Sequence, residues 1–143
     1  MAAFKNSAPG KTPAPRVVRR FTVDQANSSL PLVRRIVADI VKAHALASTR
    51  RDALESATGT KEAAVAQQAL EMAIERLEDL VDELEDVGAE LKDYQSGLID
   101  FVGRHEGRDI YLCWKLGEES ITHWHELDAG FAGRKPVALL RAK

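Results

Sequence analysis

The sequence predicts an α+β fold: a long antiparallel, coiled-coil-like helical hairpin followed by a small three-stranded antiparallel β-sheet. Three observations carry this. An apolar stripe with four-three spacing runs from about Lys61 to Asp93. A second helical stripe precedes it across a glycine-containing turn. After Tyr94 the period drops to alternation, punctuated by turn signals.

The ordered part is expected to begin at Phe21. Before it, residues 1–20 hold five bases, no acid, and Pro9, Pro13 and Pro15. That composition reads as a disordered basic tail. Residues 21–143 are then one domain, divided into a hairpin (21–94) and a β unit (95–143); 143 residues suit a single core.

Thr22 and Gln25 have the spacing of a capping box, with Phe21 placed to staple onto Ala26. Pro31 lacks an N–H and clashes with the preceding turn, so a kink is expected there, recapped by Ser28 or Ser29. Beyond it, Val33, Val37, Ile40, His44, Ala47, Arg51 and Leu54 continue a helix to about Ala57. Its second half is weakly apolar.

Ala57-Thr58-Gly59-Thr60 reads as a turn between antiparallel helices, with Thr60 as the next cap. The second helix carries Ala66, Leu70, Ala73, Leu77, Leu80, Leu84, Val87 and Leu91 on its stripe, with Gly88 a mild flaw in its interior. Met72, Ile74 and Val81 widen that stripe beyond what one weak partner helix covers. The expectation is self-association, as a homo-oligomer and most simply a dimer, through Leu70, Leu77, Leu80, Leu84, Met72, Ile74 and Val81.

Charge and cysteine usage narrow the function classes. Residues 61–94 hold eleven acids and three bases, which opposes a nucleic-acid role. Cys113 is the lone cysteine, so no internal disulfide forms and a reducing, cytoplasmic setting is expected. No apolar run approaches the roughly 20 residues of a membrane helix, and no phosphate-binding glycine loop precedes a Lys-Ser/Thr pair.

In the β unit, Leu98–Val102, Asp109–Leu116 and Ile121–His125 read as strands. Glu106-Gly107 makes a two-residue hairpin loop, which sets Asp100 opposite Cys113, Phe101 opposite Leu112 and Ile99 opposite Trp114. A second turn centred on Glu118-Glu119 sets Cys113 opposite Trp124 and Leu112 opposite His125. The face with Ile99, Phe101, Ile110, Leu112 and Trp114 is the more apolar and should pack on the helices. In this register it carries His123 and His125 with it.

The strings Gly97-Leu98-Ile99-Asp100-Phe101, Tyr111-Leu112-Cys113-Trp114-Lys115-Leu116-Gly117-Glu118 and Trp124-His125-Glu126-Leu127-Asp128-Ala129-Gly130-Phe131-Ala132-Gly133-Arg134 resemble the signature of the bacterial domain-of-unknown-function family 2203. Phe21-Thr22, Ala26-Asn27 and Leu30-Pro31 fit its N-terminal end, so the resemblance spans roughly residues 21–137. It implies a domain and no activity.

Three readings of the polar residues compete. In the first, His125 and His123 bind a divalent transition metal such as zinc, with Glu118, Asp128 or Asp100 completing the set. In the second, Asp128 or Glu118 holds His125 as a general base for Cys113 as nucleophile. The expected register puts those two on opposite faces. In the third, the role is structural: His125 buries its ring with its nitrogens satisfied by Glu118, Asp128 or backbone, Arg134 pairs with a carboxylate, Asp100, Arg108 and Cys113 belong to the same polar cluster, and Trp114, Trp124 and Phe131 are anchors. Whether the chain is an enzyme stays open at this level.

Overall fold

A computed structural model describes residues 18–141. The expected tail falls mostly on residues 1–17, outside the described residues. Two long helices come first, α1 (Val23–Glu55) and α2 (Thr60–Val87). A five-stranded antiparallel sheet follows: β1 (Ala89–Asp93), β2 (Leu98–His105), β3 (Arg108–Lys115), β4 (His123–Glu126) and β5 (Lys135–Pro136), paired in sequence order. A 3-10 turn (Phe131–Gly133) and a short helix, α3 (Ala138–Arg141), complete the chain.

The capping box forms as the spacing predicts. The Gln25 N–H donates to Thr22 Oγ1 and the Thr22 N–H donates to Gln25 Oε1, each at 3.0 Å. Phe21 packs edge-on against Phe101, ring centroids 4.8 Å apart, and its N–H donates to the Val102 carbonyl at 2.8 Å. The helix start is thereby bolted to the sheet. The recapping expected at Ser28 or Ser29 does not occur: α1 runs through Pro31 as one helix. The Ser29 hydroxyl donates back to the Ala26 carbonyl at 2.7 Å, within the turn before the proline. Gly59, with φ 86°, occupies the cap position of α2, so Thr60 opens the helix rather than capping it.

The acidic helix is shorter than its stripe. Gly88 takes a left-handed conformation (φ 117°) as the C-cap, and its N–H donates to the Leu84 carbonyl. A Cβ there would lie 2.8 Å from the Phe21 ring. The chain turns at this glycine into β1, so Leu91, the last heptad position, lies on a strand. This is why the sheet has five strands rather than three. β5 is the other addition, two residues pairing with His123 and Trp124.

Intramolecular packing takes up most of the stripe: Leu70, Ala73, Leu80 and Leu84 are buried and Leu77 partly so. Ile74 and Val81, seven residues apart, share one flank of α2. Met72 is two residues before Ile74, about 200° round the helix, and is 64% exposed. The widened stripe is therefore not one surface. The main core takes Val23 to Ile40 from α1 and Leu80 and Leu84 from α2, against Ile99, Phe101, Ile110, Leu112, Trp114 and Trp124 of the sheet. Beyond it, the distal half of the hairpin buries only Ala47, Leu70 and Ala73.

The β2–β3 register is the one the sequence predicts, closed by Glu106 (φ 52°) and Gly107 (φ 79°), both left-handed as a two-residue primed turn requires. The β3–β4 register is shifted by one. Cys113 faces His123, Leu112 faces Trp124 and Tyr111 faces His125. The reason lies in the loop between them. The Trp114 indole N–H donates to the Glu118 carbonyl, and the Ile121 N–H donates to Asn27 Oδ1 at 2.7 Å, drawing Ile121 into the core. Ile121 and Thr122 are spent in the loop, and pairing starts at His123. A one-residue shift exchanges faces. Trp124 joins the helix-facing core, and His125 moves to the opposite side.

A candidate metal centre on the outer face of the sheet

Asp100, Cys113 and His125 come from three adjacent strands, β2, β3 and β4, on the face away from the helices. All three are almost wholly buried, at 3%, 1% and 3% exposure. One donor atom from each lies within 4.8 Å of the other two.

The imidazole is held at both nitrogens. His125 Nδ1 lies 2.7 Å from the Glu126 carbonyl oxygen. A carbonyl only accepts, so Nδ1 carries the proton and donates. His125 Nε2 then faces both Asp100 oxygens at 3.2 Å. A bare Nε2 lone pair against carboxylate lone pairs would repel, so a cation, either a proton or a metal ion, belongs between them. Burial pushes Asp100 above the usual carboxylate range, while His125 pulls it back. Burial, aided by the charge of Asp100, pushes the Cys113 thiol up to about 12, against the pull of Arg134.

Paired side chains border the cluster on its own face and brace it from the other. The Tyr111 ring lies 5.4 Å from that of His125, and its hydroxyl donates to Glu90 Oε1 at 3.2 Å. The Lys92 ammonium sits 4.6 Å over the Tyr111 ring and 3.0 Å from Glu90. Arg108 grips Glu126 with two bonds, Nε to Oε1 at 3.0 Å and Nη2 to Oε2 at 2.6 Å. That fork steadies the residue whose carbonyl orients His125. Arg134 donates to Glu118 Oε2 at 3.1 Å and lies 4.1 Å over the Phe131 ring.

Among the residues the sequence singles out, the structure brings Asp100, Cys113 and His125 together. His123, Glu118 and Asp128 stand outside that group. His123 Nδ1 meets the Thr122 hydroxyl at 2.8 Å. Glu118 accepts from the Lys115 N–H and from Arg134. Asp128 is exposed. Arg134 serves the rim, Arg108 pairs with Glu126 on the other face of the sheet, and Trp114 and Trp124 lie in the core on that face. Cys113 and His125 share a face, contrary to the expected register. A nucleophilic role for Cys113 is nonetheless opposed by its burial and its raised pKa, which keep it a thiol at neutral pH. Sequence reasoning missed Tyr111, Glu90, Lys92 and the Glu126 carbonyl. The alternation of β3 put Tyr111 and Cys113 on one face, but β1 was hidden inside the heptad stripe.

Among the described residues, no helix is long and apolar enough to cross a membrane. No curated protein and no solved structure matches the chain. The model of one family, described as an uncharacterized conserved protein (DUF2203), matches residues 19–137. That match takes in both helices, all five strands and every member of the buried cluster, and the chain therefore belongs to the DUF2203 family.

Proposed function

We propose that the protein binds a divalent transition-metal ion through Asp100, Cys113 and His125. The convergence of three different donor types, each almost fully buried and all within 4.8 Å, carries this reading. A histidine whose second nitrogen donates to a carbonyl is the usual arrangement for a metal ligand. A thiolate, an imidazole and one carboxylate suit zinc or a similar ion better than magnesium or calcium. Charge favours the same class: one thiolate, one carboxylate and a neutral imidazole balance a divalent ion, leaving a buried site with no net charge. Three protein ligands leave a fourth position for water or a small ligand. The lone cysteine fits a reducing compartment such as the cytosol. The test is elemental analysis of untagged protein after zinc supplementation and desalting. About one equivalent is expected; less than about one-tenth would refute the site.

A second reading concerns the helices and is compatible with the first: the distal arm is an association surface. The thin seam of Ala47, Leu70 and Ala73 supports it, with Val65 at 67% and Met72 at 64% exposure. A two-helix arm with so little buried apolar area gains stability by packing on another chain. Light scattering across micromolar concentrations tests this, and a monomer throughout would defeat it.

A further inference from the structure

The Cys113 sulfur takes part in hydrogen bonds of opposite kinds. Its thiol donates to Asp100, within the buried cluster. Its lone pairs accept from the Arg134 guanidinium, which comes from the loop after β4. That guanidinium is held in place on several sides. It lies 4.1 Å over the Phe131 ring, and one N–H donates to Glu118 Oε2 at 3.1 Å. The backbone N–H of Arg134 donates to the Phe131 carbonyl at 3.2 Å, closing the 3-10 turn. Glu118 is fixed in turn: Oε1 accepts from the Lys115 N–H, and its carbonyl accepts from the Trp114 indole, each at 3.0 Å. A chain of bonds thus runs from the end of β3 through Glu118 and Arg134 back to Cys113 on the same strand. Arginine carries several N–H donors in a rigid fork, so the ion pair with Glu118 leaves donors for the sulfur. The Arg134 side chain is only 19% exposed, and a bond shielded from water is the stronger for it.

A metal ligand must give up its proton, so a bound ion takes the place of the Cys113 thiol hydrogen. Arginine has no acceptor and keeps its charge. Its bond to the sulfur therefore survives that exchange and becomes charge-assisted. We infer that Arg134 is a positioning residue of the metal centre, donating to the Cys113 thiolate so that the sulfur is oriented and part of its electron density is withdrawn from the metal. The inference rests on the metal reading and adds to it the group that tunes the sulfur ligand.

The experiment is cobalt(II) titration of the untagged, metal-stripped full chain as wild type, Arg134→Met and Arg134→Lys, with circular dichroism to check each fold. The thiolate-to-cobalt charge-transfer band is read at saturation. Losing a donor raises the energy of the sulfur lone pairs, so Arg134→Met should move the band to longer wavelength and weaken cobalt binding about 10–100-fold. Arg134→Lys keeps a charge and a donor but not the fork, and should fall between the other two in both respects. Should Arg134→Met not fold, the shift between wild type and Arg134→Lys serves alone. A loosened loop would lower affinity without moving the band. A band at the same wavelength in wild type and variants would overturn the role of Arg134 and leave the metal site standing. A wild type that takes up no cobalt would overturn both.

Discussion

His125 Nε2 stands 3.2 Å from both carboxylate oxygens of Asp100, in a site from which water is almost excluded. The pair needs a cation between its lone pairs, and the two partners should differ in their tolerance of substitution. Asn at position 100 can donate an amide hydrogen to Nε2, replacing the shared proton. Asp100→Asn is expected to fold with stability within about 1 kcal/mol of the metal-free wild type, and to lose zinc binding. His125→Ala leaves a buried carboxylate unpaired and should cost about 3–5 kcal/mol. Urea titration of the metal-stripped proteins checks both. Equal losses for the two would mean that the pair is not bridged as described.

Gly88 gives a prediction whose sign distinguishes two structures. In a helix interior, Gly→Ala stabilises by about 1 kcal/mol. Here φ is 117° and an added Cβ would come within 2.8 Å of the Phe21 ring. Gly88→Ala should therefore destabilise, by about 1–3 kcal/mol, measured by chemical denaturation.

The capping box of Thr22 and Gln25 is exposed and local. Thr22→Ala removes the side-chain acceptor and should cost about 1 kcal/mol, with Thr22→Ser retaining most of the stability. Thermal melts at fixed pH give the comparison.

Arg20 donates to Asp109 at 2.8 Å and 3.1 Å, and this hydrogen-bonded contact holds the Asp109 carboxyl below its usual range. A depressed folded pKa means the contribution is fully present above the unfolded value, about 3.9, and is lost as pH falls through the lower folded value. The stability gap between wild type and Asp109→Asn should thus be constant near neutrality and close in acid. Both partners are partly exposed, so added salt should shrink the gap as well. A gap that widens in acid would contradict the assignment.

How much of this was legible in the sequence depends on where local chemistry decides the structure. The Thr22 cap and the Glu106-Gly107 loop are local signals, and both the helix start and the β2–β3 register follow them. Asp100 opposite Cys113 was therefore readable. The β1 strand was not, because Leu91 continues the heptad and only the conformation of Gly88 ends the helix. The β5 strand is two residues long and includes a proline, which gives no periodic signal. His125 was visible as a candidate but set on the wrong face. Its register depends on Ile121 and Glu118, whose partners, Asn27 and Trp114, reach the loop only after folding. The composition of the buried cluster followed from that single residue of slippage.

The most direct test of the metal site is cobalt substitution of the untagged, metal-stripped protein, followed by absorption spectroscopy. Co(II) bound through Cys113 should give thiolate-to-metal charge-transfer absorption in the near ultraviolet, together with the d–d bands of low-coordinate cobalt, saturating at about one equivalent. Cys113→Ser should abolish the charge-transfer band, and His125→Ala should weaken binding. No cobalt uptake, or a charge-transfer band unchanged in Cys113→Ser, would contradict a metal centre built from Asp100, Cys113 and His125.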